Sequence, residues 1–365
     1  MRPGTHSFFM GPFPISPEAP PIFLAEIGGF FGQDIDLARE MIGQIILAGR
    51  LVPEQPMILK TEILHDPEIC LQGNLMETYA AKDGRVQHEN YRALIERKVV
   101  PLAQYAELFA LCRSTDTPFI VSVYDFAGAD FGRQEGASAL KIASSNITHI
   151  PLIRHCASKG IPLVIDTGRS TIAEVHRALD VARLAGCVDL VVEHSPDGHP
   201  SLPQAHNLRI LQTYSRAFDL PVGLSDHHVG LEMLYVAVAL GASLIEKGVH
   251  IAPDALDIDI SHTMDIKDLP AVLRAVHQCW QALGRGARDM GEPIRGVLGT
   301  SQRQCLIASR DLQPGDKINL GSVRFAFPKQ GIGVEHWDLV EGWSLVSHVL
   351  AGRPVRWQDV EPRAL

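Results

Sequence analysis

Two lysines stand inside apolar runs of this sequence, Lys60 in PMILKTEI and Lys141 in ALKIASS. A buried ammonium costs on the order of several kcal/mol unless it is paired. A neighbouring carboxylate such as Glu26 or Glu62 would be a purely structural answer. Two such lysines, with the hydroxyls of Ser122, Ser144 and Ser225 in comparable positions, point instead to a cradle for a phosphate and a carboxylate. Period-two spacing puts Lys60 with Glu62, Ser225 with His227, and Glu246 with His250 on common faces. His227 lies in SDHH and His250 in the next apolar run. A lone core histidine is often just a satisfied hydrogen-bonding residue. Two neutral imidazoles with carboxylate or water oxygens could also hold a divalent ion that polarises a carbonyl. His228 has the wrong parity to share the face of His227. His194 and His199 are weaker candidates, and their loop, EHSPDGHP, could contact substrate.

These residues need elements to position them. Eight short apolar runs recur along the chain: 22–28, 56–63, 118–124, 139–145, 162–168, 189–195, 221–227 and 243–250. Such runs suit parallel strands buried on both faces. Between them lie stretches of helical periodicity such as STIAEVHRALDVARLAG, each ending at glycine. Eight βα units without a glycine-rich phosphate loop predict an α/β fold of the (β/α)₈, or TIM-barrel, type, not an open doubly wound sheet. Its chemistry belongs at the C-terminal ends of the strands. Residues 64–100 exceed what a connection needs and read as a functional loop or a pair of short helices over the barrel mouth. A long helix is expected near 267–284. We expect a barrel domain over 1–285, a linker over 286–301 and a small, mostly β domain over 302–365, where QPGD and AGRP mark tight turns. So small a module needs a surface to lean on.

The bulk composition narrows the classes. A net charge of −9 argues against nucleic-acid binding, which needs clustered Lys and Arg. The six cysteines are scattered without a CxxC, which suits reduced thiols in a cytoplasmic protein. No apolar run approaches the ~20 residues of a membrane helix, and the proline-broken segment MRPGTHSFFMGPFPISP does not read as a signal peptide.

Read as ordered blocks, the sequence resembles the sialic acid synthase family over nearly its whole length. The blocks run from AEIGGFFGQDIDLA through LKTE, FIVSVYDF, KIASSNITHIPLI, IDTGRSTIAEV and VGLSDHHVG to GASLIEKGVH. LIASRDLQPGD and FPKQGIG look like that family's C-terminal antifreeze-like (SAF) domain. The resemblance implies condensation of phosphoenolpyruvate with an aldose, giving an α-keto acid and phosphate, with Mn²⁺ or Mg²⁺ as cofactor. It implies small-molecule partners only, and a domain-swapped homodimer. Carried over position by position, Lys60, Ser122, Lys141, Ser144, Thr167 and Ser225 match the phosphoenolpyruvate cradle. Glu26, Asn146 and Asp259 fall at catalytic positions, and His227 at a metal ligand.

The departures concentrate elsewhere. Gly248 stands where the family has a second metal histidine, and His250, two residues on, is the candidate replacement. Phe30 and Phe31 replace an asparagine and a histidine, Asn146 a carboxylate, Glu62 a glutamine and Asp166 a serine. At the acceptor side Glu62, Asp197, His199, Phe327 and Lys329 occupy the contact positions, with Phe327 in place of an arginine. The donor half is kept and the acceptor half rewritten, which predicts a changed acceptor. Two other readings compete: a metal-independent aldolase or lyase using Lys60 or Lys141 as a Schiff-base nucleophile, and a non-catalytic relative that binds a sugar phosphate or a partner protein.

Overall fold

The apolar runs form eight parallel strands: β1 (Ile22–Gly28), β2 (Met57–Ile63), β3 (Phe119–Val123), β4 (Leu140–Ile142), β5 (Leu163–Asp166), β6 (Leu190–His194), β7 (Val222–Asp226) and β8 (Leu244–His250). Each pairs with the next, and β8 pairs back onto β1, Leu244 opposite Ile22, so the sheet closes into the expected barrel. The computed structural model describes residues 6–284, 286 and 302–362. The chain divides into two compact units, Met1–Gly284 and Arg285–Leu365. The linker expected over 286–301 lies outside the described residues apart from Gly286.

Alternation along each strand sorts side chains between two cores. On β1, Phe23, Ala25 and Ile27 face the helices, while Ile22 and Leu24 face the barrel interior with Ile58, Ile120, Ala139, Val164, Val191 and Leu244. The next inward layer on several strands is polar: Glu26, Lys60, Lys141, Asp166, Glu193 and Glu246. The interior therefore changes from hydrocarbon to ions at the C-terminal strand ends. Helices hold the strands from outside. The helix Ile35–Leu51 is capped by Asp34, whose side chain accepts from the Leu37 N–H, and buries Met41, Ile42 and Ile45. Thr171 and Glu174 form a capping box at the start of Ile172–Leu184. The last helix of this unit is Leu269–Leu283.

Three local features differ from the expectation. The proline-broken N-terminal segment is an antiparallel hairpin, Phe8–Met10 with Phe13–Ile15, and Phe8, Met10 and Ile15 seal the apolar end of the barrel. The excursion at 64–100 holds a 3₁₀ turn, Pro67–Ile69, and a short α-helix, Tyr91–Glu96, with a β-hairpin between them, Met76–Ala80 with Val86–Asn90. Its turn closes through the Ala81 N–H donating to the Arg85 carbonyl, with Gly84 at φ +84°, a conformation that favours glycine. Finally, β4 stops at Ile142, and Ser144–Asn146 form a 3₁₀ turn. Ser144 and Asn146 thus sit on a bend over the strand end, not in the strand.

The second unit has its own apolar core, including Leu306, Leu312, Ile318, Val323, Ile332 and Val355. Its short antiparallel pairs are Cys305–Ala308 with Val323–Ala326 and Ser344–Leu345 with Val360–Glu361. Among the described residues, no helix is long and apolar enough to cross a membrane.

Candidate active site

Inward parity on six strands brings the two lysines into one ionic cluster. Lys60 pairs with Glu26 and lies 3.5 Å from Glu246. Lys141 is held by Glu193 at 2.6 Å, Glu246 at 2.7 Å and Asp166 at 3.3 Å. The Ser225 hydroxyl donates to Glu246 at 2.8 Å, and Ser195 donates to Asp166. Both lysines and Glu193, Glu246 and Asp166 are at most 5% exposed. Ser122 is buried nearby on β3 with a hydroxyl that has no protein partner. Thr167 is buried at the end of β5. Ser144 and Ser195 crowd Gly168: a Cβ there would meet Ser195 Oγ at 2.5 Å and Ser144 Cβ at 3.0 Å. All six residues of the expected cradle therefore lie at the barrel mouth, and three of them, Lys60, Lys141 and Ser225, are already engaged with carboxylates. The partner of Lys60 is Glu26. Glu62 accepts instead from the Tyr124 hydroxyl at 2.9 Å.

Burial works against the charged form of both lysines, but Glu246 and Glu26 hold Lys60 above the usual lysine range, and Glu193, Glu246 and Asp166 do so for Lys141. The carboxylates divide. Burial raises Glu26 to about 8 against the pull of Lys60, and raises Glu193 to about 8 against Lys141. Burial opposes ionisation of Glu246 too, yet Lys141 and Lys60 together lower it to about 2. At neutral pH the cluster thus combines two ammoniums, ionised Glu246, and two carboxyls that retain protons.

A second group lies on the loops after β6, β7 and β8. Ligand atoms of His199, His227 and His262 come within 4.8 Å of one another. Burial lowers His227 to about 4, assisted by His199, and takes His262 well below its ordinary value. Both are neutral, and the Nδ1 atoms of both are buried without a hydrogen-bond partner. Three adjacent imidazoles with unused nitrogens fit a divalent transition metal. His199 is oriented by Asp259, 2.7 Å from its Nδ1, the carboxylate support common behind metal-binding histidines.

His250 is not part of this group. The end of β8 pairs with Met264–Asp265, and His250 Nδ1 is spent on the Met264 carbonyl at 2.7 Å. Nor is there room for a side chain at 248. A Cβ on Gly248 would lie 2.7 Å from Thr263 Cγ2 and 3.3 Å from the Phe30 ring. The expected pair His227–His250 is therefore replaced by His227 with His199 and His262.

Glu62, Asn146 and Asp259 meet elsewhere, lining a cavity of about 540 Å³ with Tyr91, Leu94, Ile95, Lys98, Tyr124 and Phe126. The 64–100 excursion supplies much of that wall and clamps the loop after β8. Lys98 pairs with buried Asp257 at 2.5 Å, and the Lys82 ammonium donates to the carbonyls of Ser261 and Thr263, on either side of His262. Asp197 is exposed and pairs with Arg169 at 2.7 Å. Phe327 and Lys329 belong to the second unit, where Phe327 is 63% exposed and Lys329 pairs with Glu335.

Sequence reasoning did not single out Glu193, His262, Lys82 or Lys98. Glu193 had a usable signal, since it alternates with Val191 and Ser195 in DLVVEHS. His262 had none, because it sits on a 3₁₀ turn, Ile260–His262, where strand parity says nothing.

Comparison with known proteins agrees with this architecture. The model of the NeuB family matches residues 59–288, and that of the SAF domain matches residues 303–361. The N,N'-diacetyllegionaminic acid synthase of Legionella pneumophila is 30% identical over 70% of this chain and 72% of its own length. The pseudaminic acid synthase of Helicobacter pylori is 25% identical over 94% of this chain and 98% of its own. The crystal structure of the N-acetylneuraminic acid synthetase from Leptospira borgpetersenii superposes with a TM-score of 0.68 at 22% identity, covering 78% of this chain and 93% of that one, which speaks to the fold alone. The family match spans more than half of the sequence, and the chain belongs to the NeuB family, with a SAF domain at its C-terminal end.

Proposed function

We propose that this protein is a synthase that condenses phosphoenolpyruvate with a sugar-like aldehyde to give a 3-deoxy-2-keto acid and phosphate. The observation that carries this reading is the convergence of two buried, strongly charged lysines with Ser122, Ser144 and Ser225 at the strand ends of a NeuB-family barrel. Lys60 and Lys141 would exchange carboxylate partners for the phosphate and carboxylate of the donor. Relatives named as legionaminic and pseudaminic acid synthases support the reaction class.

In the reaction, the methylene carbon of the enol phosphate bonds to the aldehyde carbon, whose oxygen gains a proton. Water adds at the phosphate-bearing carbon, and phosphate leaves. Glu26, protonated at neutral pH beside Lys60, would exchange a proton with that water. The cavity that contains Glu62, Asn146 and Asp259 would receive the acceptor, and its apolar wall, with Ile95 and Phe126, suits acyl or deoxy substituents better than bare hydroxyls. His199, His227 and His262 would hold a divalent ion, which when bound would polarise the acceptor carbonyl.

The aldolase reading is disfavoured by electrostatics. A Schiff-base lysine needs a depressed pKa, and both lysines here are pushed the other way. Incubation with phosphoenolpyruvate, Mn²⁺ and a panel of aldoses tests the proposal through phosphate release together with a new α-keto acid. No turnover and no phosphoenolpyruvate binding by calorimetry would overturn it. The family resemblance extends the proposal to a homodimer, and a monomer by sedimentation at micromolar concentration would refute that part.

A further inference from the structure

The lysine cluster holds more carboxyl groups than ammoniums before any substrate enters. Two ammoniums, Lys60 and Lys141, face four carboxyl groups: Glu26, Glu193, Glu246 and Asp166. Phosphoenolpyruvate would add a phosphate and a carboxylate to this closed, low-dielectric space. Burying such an excess of negative charge is prohibitive, so protons must come with the substrate.

The geometry distinguishes the carboxyl groups. Glu246 accepts from Ser225 and touches both lysines. Asp166 accepts from Ser195 and from the Gly168 N–H. Both receive hydrogen bonds from donors other than the lysines. Glu193 has a single contact of this kind, Lys141 at 2.6 Å, and neither of its oxygens receives a hydrogen bond from any other donor. Its stem lies over Gly223 on β7, where a Cβ would meet Glu193 Cγ at 3.4 Å. The charged groups facing it are Lys141 on β4, Asp166 on β5 and Glu246 on β8, with Lys60 and Glu26 beyond. On its own strand, His194 turns away to the His206 carbonyl. When Lys141 moves onto a substrate oxygen, Glu193 loses its only counter-ion.

We propose that Glu193 takes up the proton that anion binding requires, so that phosphoenolpyruvate binding is linked to protonation through this residue. The inference rests on the phosphoenolpyruvate reading of the site. Burial already raises Glu193 to about 8 in the free protein, so the linkage is silent near pH 7, where the proton is in place, and emerges above pH 8.

Calorimetry of the full chain with phosphoenolpyruvate at pH 9, in two buffers of different protonation enthalpy, reads the proton count directly. The wild type should take up about one proton more per ligand than Glu193→Gln. Between pH 8 and pH 9.5 its affinity should fall more steeply than that of E193Q, by a further factor approaching ten per pH unit. Binding without uptake, or an E193Q variant that retains the full uptake, overturns the inference and leaves the donor assignment standing. No binding by the wild type at pH 7 overturns the donor assignment itself and the inference with it. If E193Q does not fold, Glu193→Asp carries the test. It keeps a titratable carboxyl on a shorter stem, so its uptake profile must shift along the pH axis, and an unchanged profile overturns the assignment.

Discussion

Replacing Glu193 by glutamine should make the free protein more stable in base. Glu193 ionises near its ordinary 4.5 when unfolded and near 8 when folded. Between those values folding binds a proton, so stability falls as pH rises, and the loss is complete above 8. At about 1.4 kcal/mol per pH unit, the full penalty is at most about 5 kcal/mol. Glutamine abolishes the titration, at the cost of one of three carboxyl partners of Lys141, which keeps Glu246 at 2.7 Å and Asp166 at 3.3 Å. The net gain at pH 9 is about 2–4 kcal/mol, with no gain near pH 4.5. For a unit of this size that is a rise in Tm of roughly 5–10 °C at pH 9. Thermal melts followed by circular dichroism from pH 5 to pH 9 provide the assay. A constant difference between the two proteins, or an E193Q variant less stable at pH 9, would refute the electrostatic assignment of this cluster.

Three further outcomes are expected. His262→Ala and His227→Ala should each lose the visible absorption of bound Co²⁺ and at least tenfold in Zn²⁺ affinity by calorimetry, a loss of about 1.4 kcal/mol or more, whereas His250→Ala should leave both intact. Gly248→His should add no metal affinity and should destabilise the barrel by about 1–3 kcal/mol in urea unfolding, because its Cβ meets Thr263 at 2.7 Å; enhanced Co²⁺ binding would contradict the packing argument. Lys98→Met leaves Asp257 buried without its cation and should cost about 3–5 kcal/mol, with KM for the acceptor rising more than kcat falls as the Asp259 loop loosens. Equal effects on the two constants would assign Lys98 to the chemical step.

The barrel was legible because its strands are buried on both faces and announce themselves as uninterrupted apolar runs. Lysines inside such runs mark the interior, and parity assigns Lys60, Lys141, Ser225 and Glu246 to it. Parity fails where the chain leaves the strand. Asn146 and Ser144 sit on a 3₁₀ bend, and His262 sits on another. His250 has the right parity, but its strand end is diverted to pair with Met264–Asp265. The hairpin Met76–Ala80/Val86–Asn90 was missed because its strands are largely exposed and carry charge where a core pattern would show. The exchange at Gly248 was visible as a difference, but its cause was not. Phe30, far away in sequence, fills the space, which only the fold brings about.

The hairpin that seals the floor of the barrel constrains how the molecule can be made. Phe8, Met10 and Ile15 are synthesised well ahead of Leu244 on the final strand, which belongs to the same packed cluster. At ribosomal rates on the order of ten residues per second, some tens of seconds separate the two. Throughout that interval the oily N-terminal segment has no finished seat. Docking it completes assembly instead of nucleating it, so deleting residues 6–15 should change how often nascent chains are rescued from aggregation far more than it changes the chemistry at the opposite end of the barrel.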